Sequence, residues 1–226
     1  MAQQAKPAAD HSAVDEPITR AIMTAEARSA AEIAVAILPR ADRYTLTSVL
    51  AALLLFAVLH AVLGWVDLNA LLLPMAQGSG AWLDATAWLG MSLALGLSAA
   101  LFVLCEWTVL GVRLTPQSWR QRACRARARV LFLEQGIDAT EDRLGLLICV
   151  SEAERQIEIL PDRGISAVIA APRWQVLIEA FLHQKRAGTL DAALAQLVEA
   201  VASELAPHFP PRPGQVNELP DAPIRL

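Results

Sequence analysis

The sequence predicts an α/β/α sandwich with a small mixed β-sheet, interrupted by a two-helix transmembrane hairpin. Two apolar runs without a charged residue, Thr45–Val66 and Ala85–Cys105, are each long enough to cross about 30 Å of hydrocarbon. Segments of strand character lie on both sides of them, EIAVAIL at 32–38 before and LGLLICVS at 144–151 after. The downstream strands alternate with amphipathic helices, so one sheet needs helical layers on its faces. Hydrophobic residues make up 55% of the 226, against about 45–50% in an average soluble domain, and this excess excludes a disordered chain.

The first twenty residues read as a flexible tail without the apolar core of a cleavable secretory signal. Residues 21–43 hold the first helix, with Thr24 as its cap and its end near Ala31, and then the first strand. Residues 44–112 form the hairpin, with helices at about 45–66 and 85–112 joined by an outside loop, 67–84, that holds Pro74, Gly78 and Gly80. Trp65, Trp82 and Trp88 mark one membrane interface, and Tyr44, Trp107 and Trp119 the other. Inside the spans, His60 and Glu106 are offset by roughly nine residues, or about 14 Å, too far for a pair.

No Lys or Arg occurs between Arg43 and Arg113. Basic residues flank the hairpin on both outer sides, so the positive-inside rule puts both termini in the cytoplasm of a bacterial inner membrane. Three cysteines, Cys105, Cys124 and Cys149, lack zinc-like spacing and fit a reducing compartment. A net charge of -4 argues against a general nucleic-acid binder.

Residues 113–206 complete the domain. Pro116–Gln135 reads as an arginine-rich helix ended by Gly136. Arg122, Arg125 and Arg129 share one side, with Arg120 and Arg127 opposite; together with Arg113 they are candidates for lipid-headgroup contact. Leu144–Ser151 and the alternating Gln156–Leu160 form an antiparallel hairpin, and Pro161–Gly164 a turn. The first strand joins this sheet as a parallel neighbour through a right-handed crossover. Two helices follow, the first with Pro172 in its first turn, the second capped by Thr189. The six prolines after Ala206 make 207–226 an extended tail, docked or loose.

AEARSAAEIAVAIL (25–38), FLEQGIDATEDRLGLLICVSEAERQIEILPDRGI (132–165) and HFPPRPGQVNELPD (208–221) resemble the TPM domain family, in particular bacterial membrane-bound members with an internal hairpin. The resemblance implies the α/β/α sandwich. It also brings an activity to weigh, since the family includes a thylakoid-lumen protein assigned acid phosphatase activity, beside extracellular modulators of a receptor. A divalent cation such as calcium is implied the same way. The Thr-Gly frequent before the first strand in relatives is here Ala30-Ala31.

Phosphate-ester hydrolysis needs an activated nucleophile or metal-bound water and a cation on the transferring group. The candidate parts are Asp162 with Arg163 for catalysis, and Glu152, Glu154 and Asp162 for a metal. The same residues have a plainer reading, with Asp162 and Gly164 shaping a turn and the glutamates in solvent. The function expected is therefore a non-enzymatic, cytoplasm-facing interaction module without a cofactor, working with a membrane-protein partner or by self-association. A metal-assisted phosphatase and an anionic-lipid sensor are the alternatives.

Overall fold

The computed structural model describes residues 12–65, 81–140, 142–212, 214 and 217–226. The chain divides into two compact units, one built from the residues up to Ala41 together with Gln121–Leu226, the other from Asp42–Arg120.

The first unit is a four-stranded mixed sheet of order β3-β2-β1-β4 between helices. β1 (Glu32–Leu38) pairs in parallel with β2 (Gly145–Ser151), in a register that sets Val35 opposite Ile148. β2 continues antiparallel into β3 (Gln156–Pro161), and β4 (Ile224–Arg225) runs parallel to β1 on its other edge. β1 and β2 are buried along their whole length because helices cover both faces of the sheet.

The two faces differ in side-chain size. Ile33, Val35 and Ile37 of β1, with Leu146, Ile148 and Val150 of β2, point into the larger core. That core is filled from α1 (Ser12–Glu26), α7 (Ala171–Ala187) and α8 (Leu190–Leu205) by Ile18, Ile22, Phe181, Leu194 and Val201. The opposite face carries Ala34, Ala36, Leu147 and Cys149, and the small side chains on β1 let Ala128 and Leu131 of α5 (Gln117–Glu134) approach closely. Gly136, in the left-handed region at φ +67°, ends α5. The sandwich and its parallel β1–β2 pair are those the sequence predicts.

Several elements differ from expectation. Residues 12–20 are helical rather than a tail; α1 runs from Ser12, with Pro17 inside it and Ile18 fully buried. Residues 1–11 lie outside the described part. Thr24 is in the last turn of α1, where its hydroxyl donates to the Arg20 carbonyl at 2.8 Å, so it does not cap a helix start. The turn after β3 contains a one-turn helix, α6 (Arg163–Ser166). Of the two fates open to 207–226, this segment is docked: Ala30 N–H donates to Phe209 O at 2.9 Å, Leu219 is buried, and β4 closes the sheet edge.

In the second unit, α2 (Thr45–Trp65) packs against α3 (Ala81–Trp107), and α4 (Leu110–Leu114) follows. Thr115 Oγ1 donates to Thr47 Oγ1 at 3.1 Å, which brings the far end of this stretch back to the start of α2, as in an antiparallel hairpin. α2 and α3 contain stretches long and apolar enough to cross a membrane, Thr45–Val62 and Gly90–Trp107, with outward-facing Leu50, Leu53, Leu54, Leu93 and Leu95. Among the described side chains of these helices the buried ones are small, Ser48 on α2 and Ala94, Ser98 and Cys105 on α3, the composition that lets membrane helices approach. The serine hydroxyls bond their own helix, Ser98 to Ala94 O at 2.8 Å and Ser48 to Tyr44 O at 3.4 Å, and so need no water.

The second span is not one helix from 85 to 112. Helix α3 starts at Ala81 and stops at Trp107, where Thr108 Oγ1 bonds Leu104 O at 2.6 Å and accepts Leu110 N–H at 3.2 Å, separating α3 from α4. Tyr44, expected at the headgroup level, is buried, with φ at +52° where the chain enters α2. Trp88 and Trp107 are exposed, and His60 stacks on Phe56 with ring centroids 6.0 Å apart. The side chains of Trp65 and Trp82 and most of the loop 67–84 lie outside the described residues.

Candidate functional site

Three carboxylate sites surround the sheet, and their chemistry follows from what each carboxylate already binds. The first lies at the carboxyl ends of the parallel strands, the end where open α/β sheets bind ligands. The turn Glu152–Arg155 joins β2 to β3, closed by Arg155 at φ +54°. Glu152 is exposed, and its N–H donates to Leu38 O at 2.9 Å. Glu154 is fully buried: it accepts Ala41 N–H at 3.1 Å through Oε1 and the Ser151 hydroxyl through Oε2. Cys124 of α5 lies beside Ser151. Burial first, then the charge of Glu154 and the neighbouring Cys149, push its thiol up to about 12, so it stays protonated and is no nucleophile. Glu154 thus fastens the segment after β1 to the β2–β3 turn.

Asp162 and Arg163 sit at the other end of the hairpin. Asp162 is 7% exposed; its N–H donates to Gly145 O at 2.8 Å, and its Oδ1 accepts Arg163 N–H at 2.7 Å as the cap of α6. Gly164 is required here, because a Cβ would lie 2.7 Å from Arg143 O. The Arg163 side chain faces solvent. Five residue steps of strand, about 17 Å, separate the Ser151–Gln156 pair from the Leu146–Pro161 pair. Asp162 therefore cannot share a metal with Glu152 or Glu154, and among the described residues no group of three His, Cys, Asp or Glu side chains is placed to hold one.

Sequence reasoning missed the third site, where Glu26, Glu32 and Asp221 converge beside β1. Glu26 Oε1 accepts the Ile33 N–H at 3.2 Å, standing in for a neighbouring strand at that edge. Burial, the charge of Glu32 and a hydrogen bond shared with Asp221 push the Glu26 carboxyl up to about 8, whereas the Ile33 N–H pulls it down. A protonated Glu26 accepts from Ile33 and donates toward Asp221, whose Oδ1 also accepts Asn217 Nδ2 at 2.6 Å. Four residues on, Arg225 bonds Asp15 at 2.6 Å and Asp191 at 3.1 Å. The segment from Asn217 to Arg225 is thereby tied to α1 and α8.

The arginines expected at headgroups sort by partner. Arg125 pairs with Glu158 at 3.2 Å and Arg127 with Glu134 at 3.8 Å. Arg113, Arg122 and Arg129 are exposed, and Arg120 is half-buried.

A mixed sheet between α1, α7 and α8 on one face and α5 on the other defines the chain as an α/β/α sandwich protein. Residues 108–204 match the family model of the TPM domain. The match leaves out α1 and two strands of the same sheet, β1 and β4. The NMR structure of the BA42 protein from the psychrophilic bacterium Bizionia argentinensis is similar in fold, with a TM-score of 0.54 and 16% identity over 100% of this chain and 99% of that one. No curated protein matches the chain.

Proposed function

We propose that the chain is a membrane-anchored TPM-domain protein of the bacterial inner membrane. Its sandwich and both flanks face the cytoplasm and act as an interaction module on a membrane-protein partner or a second copy. One observation carries the reading: β1 precedes the two apolar helices in the chain, and its parallel partner β2 follows them. The sheet is therefore continuous with both ends of the hairpin, a connection suited to passing movement from membrane helices to a cytoplasmic surface. Glu154, Oδ1 of Asp162 and Glu26 hold turns and edges, which favours a scaffold over a hydrolase. The arginine distribution on either side of the spans supports the orientation.

Thiol labelling in intact cells tests the orientation. Gln77→Cys should react with a membrane-impermeant reagent, and Glu199→Cys, exposed on α8, only after lysis. The native Cys124 is a poor reporter because it is buried. Crosslinking followed by affinity capture from native membranes should recover a stoichiometric partner or a dimer. The reverse labelling pattern would overturn the orientation, and a monomer without partners would overturn the module.

A further inference from the structure

α5 presents one face to the sheet and a very different one to the outside. At about 100° per residue, Cys124, Ala128 and Leu131 center on the buried side. Trp119, Arg122, Ala126, Arg129, Val130 and Leu133 fall within about 100° of arc diametrically opposite, and all six are exposed. The exposed fractions of the apolar members, 44% for Trp119, 43% for Val130 and 64% for Leu133, are large for residues of their size. Glu134, in the last position, is the one acid in this helix, and it is engaged by Arg127. Among the described residues, Arg122 and Arg129 have no ion pair, whereas the flanking Arg125 and Arg127 do.

We propose that this outer face of α5 docks on anionic lipid headgroups, with Arg122 and Arg129 on the phosphates and Trp119, Val130 and Leu133 in the interface. The inference rests on the reading of α2 and α3 as membrane spans. Aromatic and aliphatic side chains interleaved with unpaired arginines, and separated by a small alanine, are the composition of a helix lying in the interface plane. An acidic protein surface would match the charge but would leave the apolar half of the stripe without a reason. Chain length agrees: α5 starts ten residues after α3 ends, and the five residues of α4 shorten that path, so its first turn stays close to the bilayer.

The full chain in nanodiscs tests this. Ala126→Cys, in the middle of the stripe, takes a fluorophore, while Cys105, Cys124 and Cys149 are buried and do not compete. The label should be shielded from aqueous iodide in discs of phosphatidylcholine with phosphatidylglycerol, and open in phosphatidylcholine alone. Arg122→Gln and Arg129→Gln should each lower the docked-to-open ratio about fivefold, and the pair roughly 30-fold. Arg125→Gln should leave the ratio unchanged, since Glu158 already neutralises that side chain. Equal shielding in both lipids, or shielding that survives the double substitution, overturns the proposal. So does shielding in native membranes but in neither disc, which assigns the face to a protein. A chain that inserts into discs without being shielded fails this proposal alone; a chain that does not insert fails the reading of the spans.

Discussion

At Glu26, one carboxyl links the edge of β1 to the chain's C-terminal segment, and its protonation has a thermodynamic sign. The folded-state value is about 8 against an ordinary 4.5. Between these values the folded protein keeps a proton that the unfolded chain has released, so stability falls as pH rises through this window and levels off above it. Glu26→Gln mimics the protonated form, still accepting from Ile33 and donating toward Asp221. Thermal melts should show the variant more stable than the parent above pH 8, with a flatter profile below it. A variant that keeps the parent's slope would place the titration elsewhere. None of this was legible in the sequence: Glu26 and Asp221 are far apart in the chain, and each alone reads as a surface acid. Glu154 reads in the sequence as a metal ligand or a solvated acid, and its buried role depends on the Ala41 N–H that only the fold brings to it. Asp162 reads correctly as a turn former because the Arg163 N–H its carboxylate accepts is the next residue, whereas the need for Gly164 comes from the distant Arg143 O.

The elements set by periodicity alone, β1, β2, β3, α5, α7 and α8, came out close to their predicted bounds. Those that depend on distant partners did not. Ile224–Arg225 is too short to show alternation and is a strand only because β1 offers an edge. The start of α1 was hidden by Pro17 and by polar residues around it, although Ile18, Ala21, Ile22 and Ala25 bury a helical stripe. Two glycines separate the local cause from the tertiary one. Gly136 has open space around its missing Cβ but sits at φ +67°, so Gly136→Ala should cost about 1–2 kcal/mol. Gly145 has an ordinary backbone, yet a Cβ there would meet Ile137 O at 2.4 Å, and Gly145→Ala should shift β2 against the 3₁₀ turn at Ile137 and cost more. Chemical denaturation in detergent measures both; the reverse order of effects would contradict the packing described.

For the whole molecule, the sandwich needs chain from both sides of the apolar helices. Val35 is 1% exposed, between Ile33 and Ile37 in the larger core. Val35→Asp should destabilise the sandwich by about 3–5 kcal/mol, because the carboxylate would have no partner among these aliphatic side chains. Limited proteolysis of the variant should then cut near Leu144, where β2 begins. A fragment of residues 114–226 lacks β1 and should be far less resistant than the full chain; equal resistance would make the upstream strand dispensable. A phosphatase assay with calcium, magnesium or manganese addresses the whole chain as well. No turnover above background is expected, and turnover abolished by Asp162→Asn would reverse that conclusion.

The parallel pairing of β1 with β2 also fixes an order of events during synthesis. The ribosome adds roughly 110 residues between the last residue of β1, Leu38, and that of β2, Ser151, which takes roughly 5–20 s at about 5–20 residues per second. Throughout that interval the six aliphatic residues of β1 wait without their central neighbour while two apolar helices leave the exit tunnel behind them. A nascent chain of this design exposes an unpaired strand for its most aggregation-prone moments, and the sheet can close only after the second apolar helix has been released.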